Sequence, residues 1–322
     1  MHLGNLVMIR PAGIVGQWRR AAPAVGALLL ALALPLGAAL GFALGAVTAT
    51  PARAEPIRVV AAENFYGDVA KQIGGPAVAV TSILSNPDQD PHLFEAKASV
   101  ARAIADARVV IVNGVDYDPW MSKLLAASPK SGRAVIEVAA LMHRKPGDNP
   151  HLWYDPATMP AFAKELAATL SRIDPDRRAD YAVNLTRFQE ALLPLDAKIA
   201  AIKRSYAGTP VTATEPVAGY MVAVLGLVVR NQRFQLAIMN GTEPSAADIA
   251  AFQRDLQTRA VRVLLYNSQT AEPLTERMRA LATRAGVPVV GVSETAPPDV
   301  HYQDWMLAQL VALETALARK HP

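Results

Sequence analysis

Short apolar segments alternate with amphipathic segments from residue 57 onwards. Ile57–Ala61, Ala77–Leu84 and Val109–Val112 have the apolar character of strands, whereas Phe65–Ile73 and Ser99–Ala107 have the spacing of helices. Regular alternation of strands and helices indicates a parallel sheet with helices packed on its faces. The first part of the chain is therefore predicted to be an α/β lobe.

The middle of the chain follows a different pattern, with two longer helical segments. Ala157–Ile173 and Arg177–Lys203 are rich in Ala, Leu and charged residues, and Pro175 lies between them. At a rise of 1.5 Å per residue, the second segment would form a rod about 40 Å long. A rod of that length fits a connector between two lobes better than a part of one small lobe.

The alternating pattern then resumes, and two almost continuous apolar runs, Val261–Tyr266 and Val287–Val292, are typical of buried parallel strands. We predict two α/β lobes of similar size, with mostly parallel sheets, joined by one long linking helix. The predicted segments are a signal peptide at 1–54, a first lobe at 55–175, the linking helix at 176–207 and a second lobe at 208–322.

The first 54 residues have the composition of an export signal. They contain four arginines and no acidic residue, an apolar stretch over 21–47, and a final Ala52-Arg53-Ala54. A basic start, an apolar centre and an A-x-A end predict a secretory signal peptide. We expect cleavage after Ala54 and a periplasmic mature protein. A retained anchor is the alternative, because the apolar stretch is long enough for a bilayer core of about 30 Å.

Removing this segment changes the charge of the chain. The whole chain has 32 basic and 28 acidic side chains, and four of the basic ones belong to residues 1–54. The balanced remainder gives no reason to expect nucleic acid as a partner. The chain has no cysteine, which excludes disulfides and thiolate metal ligands. We expect a monomer.

Two histidines share a local context that the others lack. His92 and His151 each follow a proline and precede Leu and an aromatic residue. A proline before the histidine stiffens the loop, and two neutral imidazoles on stiff loops suit a first-row metal. Solvated or surface positions are expected for His143, His301 and His321. Most aromatic residues near the two histidines are expected to be ordinary core residues; they are Tyr66, Phe94, Tyr117, Trp120, Trp153 and Tyr220.

The motifs around these residues give the chain a family resemblance. The chain resembles the metal-binding solute-binding proteins of ABC importers for zinc, manganese and iron, from about Ile57 to the C-terminus. The segments that carry the resemblance are Asp90–Glu95, Ile111–Gly114, Pro150–Trp153, Thr214–Tyr220 and Gly241–Ser245.

The resemblance implies two α/β lobes with a metal between them, and one ligand from each of four loops. By their match to the family motifs, the ligands are His92, His151, Glu215 and Glu294. The fourth ligand is usually an aspartate, so the longer Glu294 departs from the family pattern, and Asn267 and Glu272 are the alternatives. Two imidazoles and two carboxylates suit a dication. This set leans towards Mn²⁺, but Zn²⁺ binds such sites more tightly, so the sequence leaves zinc and manganese open.

The resemblance also implies that the metal is cargo for a membrane permease of an ABC importer, and that the protein is not an enzyme. The sequence contains none of H-E-x-x-H, G-x-S-x-G, the Walker loop or G-x-G-x-x-G. Two alternatives remain open: a metal-dependent hydrolase, which needs an open coordination position, and a cleft receptor for a metal chelate.

Overall fold

The computed structural model describes residues 55–88, 94–270 and 272–319. The predicted signal peptide at 1–54, the predicted ligand His92 and the terminal His321 lie outside these residues. Within the described ranges, no helix is both long enough and apolar enough to cross a membrane.

The first lobe is built on a four-stranded parallel sheet with the strand order β2-β1-β3-β4. The strands are β1 (Ile57–Glu63), β2 (Val78–Leu84), β3 (Val109–Val112) and β4 (Ala134–Glu137). All four residues of β3 are buried, as expected for a central strand covered by helices on both faces.

The second lobe repeats this arrangement, with a parallel sheet in the order β6-β5-β7-β8. Its strands are β5 (Pro210–Ala213), β6 (Val228–Arg230), β7 (Leu264–Asn267) and β8 (Val289–Val292). The prediction of two α/β lobes with parallel sheets is confirmed. The sequence patterns did not reveal the edge strands β4 and β6, which are short and partly exposed.

Helices cover both sheets and connect the strands. They are α1 (Asn64–Gly74), α2 (Ala98–Asp106), α3 (Pro119–Ala127), α4 (Val138–Leu141), α5 (Thr158–Ile173), α6 (Arg178–Tyr206), α7 (Gly219–Val224), α8 (Gln232–Met239), α9 (Ala246–Gln257), α10 (Pro273–Ala285) and α11 (Tyr302–Ala318). At 29 residues, α6 would be about 44 Å long. It packs against α1, α5 and α11. The residue boundaries of the lobes on either side of α6 stay a prediction.

The largest hydrophobic core is shared between the lobes. It contains residues of the first sheet, of α6, of the second sheet and of α11. Near its centre, the rings of Phe65 and Trp153 stack with centroids 4.5 Å apart, and Tyr302 donates a 2.7 Å hydrogen bond to the carbonyl of Trp153. Burial of these aromatic surfaces stabilises the association of the two lobes.

The carboxyl ends of the strands position the polar residues. Glu63 and Asn267 are the last residues of β1 and β7, and Glu215 and Glu294 each lie two residues beyond β5 and β8. In open parallel sheets, ligands bind outside these strand ends, where the strand order reverses.

Candidate metal centre

His151 is fully buried and its ring orientation is fixed. Its Nδ1 lies 2.6 Å from Oδ1 of Asn149, and its side chain is 0% exposed. Nδ2 of Asn149 donates to the carbonyl of Pro216 at 2.6 Å, which fixes the orientation of the amide. The atom that faces Nδ1 is therefore the amide oxygen, which can only accept a hydrogen bond. Nδ1 therefore carries the proton in the neutral ring, and Nε2 presents a lone pair.

That lone pair faces a carboxylate. Nε2 of His151 lies 3.3 Å from Oε2 of Glu294 and has no hydrogen-bond partner among the described residues. Two atoms bound at about 2.1 Å to one ion with tetrahedral geometry lie about 3.4 Å apart. The spacing of these two atoms is therefore that of two ligands of one metal ion.

Two carboxylates of the second lobe meet at this point. Glu215 is 3% exposed and Glu294 is 1% exposed. Nδ2 of Asn267 donates to Oε1 of Glu294 at 2.6 Å and to Oε1 of Glu215 at 3.2 Å. Burial of two neighbouring carboxylates is costly unless positive charge compensates them, and a dication would supply that charge.

The loop that carries Glu294 is fixed by one side chain. Oε1 of Gln269 accepts from the backbone N–H groups of Glu294 and Thr295, at 2.5 and 2.8 Å. Nε2 of Gln269 in turn donates to Oγ1 of Thr295 at 3.1 Å. The carboxylate of Glu294 is thus presented by a preorganised loop, not by a freely moving one.

Tyr117 reaches the same carboxylate from the first lobe. Its hydroxyl donates to Oε2 of Glu294 at 3.0 Å. Burial, followed by the negative charge of Glu294, raises the pKa of Tyr117 well above its usual range, so the hydroxyl keeps its proton. The preceding residues Gly114, Val115 and Asp116 all have positive φ angles, of 80°, 53° and 58°. A β-branched residue in this region is strained, and such strain is typical of functional loops.

Two further acids of the first lobe are buried close to Tyr117. Glu63 is 1% exposed, and neither of its carboxylate oxygens has a hydrogen-bond partner within the described ranges. Burial, and then the charge of Asp118, raise the pKa of Glu63 well above its usual range. Burial also raises the pKa of Asp118 to about 6, although hydrogen bonds from the N–H groups of Gly114 and Asn113 lower it.

Hydrogen bonds between the lobes flank the predicted ligands, and we call this set the seam. It consists of the reciprocal Asn64–Ala296 pair at 2.8 and 3.1 Å, the bond from Tyr154 to the carbonyl of Ser293 at 2.8 Å, and the bond from Asn149 to the carbonyl of Pro216 at 2.6 Å. The seam residues Ser293 and Pro216 are the immediate neighbours of Glu294 and Glu215.

The structure thus brings together His151, Glu215 and Glu294, whereas His92 lies outside the described residues. Taken by themselves, the described residues contain no group of three His, Cys, Asp or Glu side chains in metal-binding range. The structure gives the two alternative fourth ligands, Asn267 and Glu272, different surroundings. Asn267 turns its NH₂ group to the carboxylates, and Glu272 is the N-cap residue of α10.

Several other expectations from the sequence can be compared with the structure. His143 is exposed. His301 contacts Oδ1 of Asp68 at 2.8 Å, a contact that the sequence did not indicate. Tyr66 and Trp153 are core residues. The sequence indicated Asn267 only as an alternative ligand, and its contacts as a donor to both carboxylates were not predicted.

Two parallel α/β lobes place a buried imidazole and two buried carboxylates close together, and ligand sites occur preferentially where two such units meet. A model of the family described as zinc-uptake complex component A, periplasmic (ZnuA), matches residues 59–316. The chain belongs to this family, whose members are substrate-binding components of transport systems, not enzymes.

Individual relatives agree with this assignment. The chain is 27% identical over 267 residues to the high-affinity zinc uptake system protein ZnuA of Paracoccus denitrificans, covering 69% of this chain and 78% of that protein. It is 28% identical to the manganese ABC transporter substrate-binding lipoprotein PsaA of Streptococcus mitis, covering 45% of this chain and 51% of that protein.

Solved structures share the fold. The periplasmic zinc-binding protein TroA of Treponema pallidum superposes with a TM-score of 0.70 at 20% identity, covering 82% of this chain and all of that chain. The solute-binding protein FpvC of Pseudomonas aeruginosa, solved with Mn²⁺, has a TM-score of 0.66 at 21% identity, covering 82% and 98% of the two chains.

Proposed function

We propose that this protein captures a divalent transition metal, zinc or manganese, and delivers it to the permease of an ABC importer. The observation that carries the proposal is the buried Nε2 of His151, which presents its lone pair towards Oε2 of Glu294 at 3.3 Å. The named zinc and manganese functions of the relatives support the same class of cargo.

The proposed ligands are His92, His151, Glu215 and Glu294. Two neutral imidazoles and two carboxylates would neutralise a dication, and a mixed nitrogen and oxygen set suits first-row metals. Asn149 fixes the tautomer of His151, as the hydrogen-bonding partners of metal-binding histidines generally do. Four ligands from the protein would close the site, which favours capture over hydrolysis, because a hydrolytic metal keeps an open position for water.

The proposed setting is the periplasm. The basic and apolar segment at 1–54 supports export, with cleavage after Ala54. The balanced charge of the mature chain gives no reason to expect nucleic acid as a partner, and the proposed partner is the membrane permease, met by a monomer. The family description as a periplasmic component agrees with this setting.

Titration of the mature chain with Zn²⁺ tests the proposal. His92→Ala and His151→Ala should each weaken binding by more than about 100-fold, since loss of a ligand exceeds the 10–100-fold cost of losing a supporting residue. His143→Ala is the matched control and should bind as the parent does. Unchanged affinity in both ligand variants would contradict the site. Failure of the aqueous ion to bind, together with binding of a metal chelate, would favour the chelate receptor.

A further inference from the structure

The hydroxyl group of Tyr220 connects the second lobe to the loop that carries His151. It donates to the backbone carbonyl of Asn149 at 2.7 Å, across a sequence separation of 71 residues. The side chain of Asn149 makes a second contact with the same segment, because its Nδ2 donates to the carbonyl of Pro216 at 2.6 Å. Asn149 is therefore held through both its backbone and its side chain, two residues before the proposed ligand.

The side chain of Asn149 transmits this constraint to the imidazole. Its Oδ1 accepts from the backbone N–H of His151 at 3.1 Å and faces Nδ1 of the ring at 2.6 Å. Pro216, the partner of the same amide in the second lobe, directly follows the proposed ligand Glu215. The relative position of the two ligands thus depends on where Asn149 lies.

The ring of Tyr220 packs against a cation of the first lobe. The guanidinium carbon of Arg144 lies 4.5 Å from the centroid of the ring, which is a favourable cation–π distance. Nη2 of Arg144 also donates to Oδ2 of Asp155 at 3.0 Å. Arg144 and Asp155 lie on either side of His151 in the sequence, so the ring contacts the same part of the first lobe as the hydroxyl.

Gly219 allows the second lobe to approach this closely. A Cβ atom at residue 219 would lie 3.0 Å from Nδ2 of Asn149, a distance at which the amide would have to shift. The carbonyl of Pro216 accepts from the N–H of Gly219 at 3.0 Å as well as from this amide. Residues 216–220 therefore fit closely around the side chain of Asn149.

We propose that Tyr220 is a positioning residue: its hydroxyl holds Asn149 in place, and Asn149 in turn holds the imidazole of His151 at the metal centre. The inference rests on the proposed function. It differs from a purely structural role, because a hydrogen bond that only joins the two lobes would contribute to the stability of the fold and not to the affinity for the metal ion.

Tyr220→Phe removes the hydroxyl and keeps the ring that packs against Arg144. Titration of the mature chain with Zn²⁺ should show binding weakened about three- to tenfold, which is the effect of losing one hydrogen bond. Tyr181→Phe is the matched control, because it removes the hydrogen bond from a tyrosine to Asp174, just before α6, at 3.1 Å. Its affinity for zinc should equal that of the parent.

A double-mutant cycle with Asn149→Ala provides the readout that a merely structural role would not change. If Tyr220 acts through the amide of Asn149, adding Tyr220→Phe to Asn149→Ala should weaken zinc binding by less than about twofold, whereas independent effects would multiply. The cycle requires the zinc affinities of the parent, the two single variants and the double variant.

The outcomes separate this inference from the proposed function. A parent that binds no Zn²⁺ contradicts both. When the parent binds Zn²⁺, the inference alone is overturned if Tyr220→Phe binds as tightly as the parent, or if the effects of the two substitutions multiply. If Tyr220→Phe does not fold, the crystal structure of the zinc-loaded parent decides the question. A separation beyond about 3.5 Å between the Tyr220 hydroxyl and the Asn149 carbonyl oxygen overturns the inference, whereas a retained hydrogen bond supports it.

Discussion

At the scale of single residues, the centre depends on amides that orient its charged groups. Asn149 sets the tautomer of His151 and binds the loop that follows Glu215. Asn267 bridges the two carboxylates. Neutral amides suit these positions because they supply directed donors and acceptors without adding charge to a buried site.

Asn149→Ala should weaken zinc binding while leaving every proposed ligand in place. Without the acceptor at Nδ1, the imidazole can rotate and its tautomer is no longer fixed, and loss of such a partner typically costs 10–100-fold in metal affinity. Calorimetric titration measures the effect. Asn184→Ala is the control, because Asn184 makes a comparable bond to the carbonyl of Ile73 away from the centre. Equal affinities in the two variants would contradict the role of Asn149.

The sequence predicted the candidate ligands but not the residues that orient them. The Pro-His-Leu-aromatic context distinguishes His151 in the sequence, and Glu215 and Glu294 follow from family motifs. Asn267 and Tyr117 act through contacts with residues 27 to 177 positions away. No local pattern carries information about contacts that form only when strand ends from different parts of the chain converge.

At the scale of elements, the strands end in polar residues that the sheets bury. β1 ends in Glu63, whose carboxyl group is buried beside Asp118. The central strands were predictable because buried parallel strands are continuous apolar runs. The edge strands β4 and β6 were not predicted, since most of their residues are exposed or half-buried and so do not form the buried segments that the pattern identifies.

Glu63→Gln should stabilise the metal-free protein increasingly as the pH rises from 5 to 8. The native-state pKa of Glu63 is raised above 4.5, so the native state binds the proton more tightly than the unfolded state. The associated stability is complete below about pH 4.5 and is lost as the pH rises through the native-state pKa. Glutamine stays neutral throughout and avoids this loss.

Thermal unfolding in the presence of a chelator measures this effect. The Tm of Glu63→Gln should exceed that of the parent by a margin that grows with pH, because only the parent loses stability as Glu63 ionises. Glu190→Gln, at an exposed position of α6, should show no such pH dependence. A constant difference between the parent and Glu63→Gln at all pH values would mean that Glu63 does not titrate in this window.

At the scale of the whole molecule, two lobes with the same strand order share one core and one seam. The proposed site combines His151 with Glu215 and Glu294, which lie just beyond β5 and β8 of the second sheet, so its ligands come together only in the folded chain. A metal ion that binds this arrangement and not the unfolded chain stabilises the fold by mass action.

Zn²⁺ and Mn²⁺ should therefore each raise the Tm, whereas Mg²⁺ and Ca²⁺ should change it little because they prefer all-oxygen ligands. At a free metal concentration of 100 times the dissociation constant, the gain is about 2.7 kcal/mol, or about 5–10 °C for a chain of this size. Differential scanning calorimetry with and without a chelator measures the change. A Tm that responds to none of the transition metals would contradict the proposed cargo.

The seam also has a consequence for timing. The side chains of His151, Glu215 and Glu294 are almost completely buried, and the seam residues hold the adjacent loops of the two lobes together. We therefore expect an ion held there to leave at the rate at which the lobes separate, not at the rate at which single metal–ligand bonds break. The residence time of the metal ion would then be set by the interface between the lobes. A docking partner that competes for the hydrogen bonds of the seam would shorten this residence time. It would release the metal ion without altering any metal-binding residue.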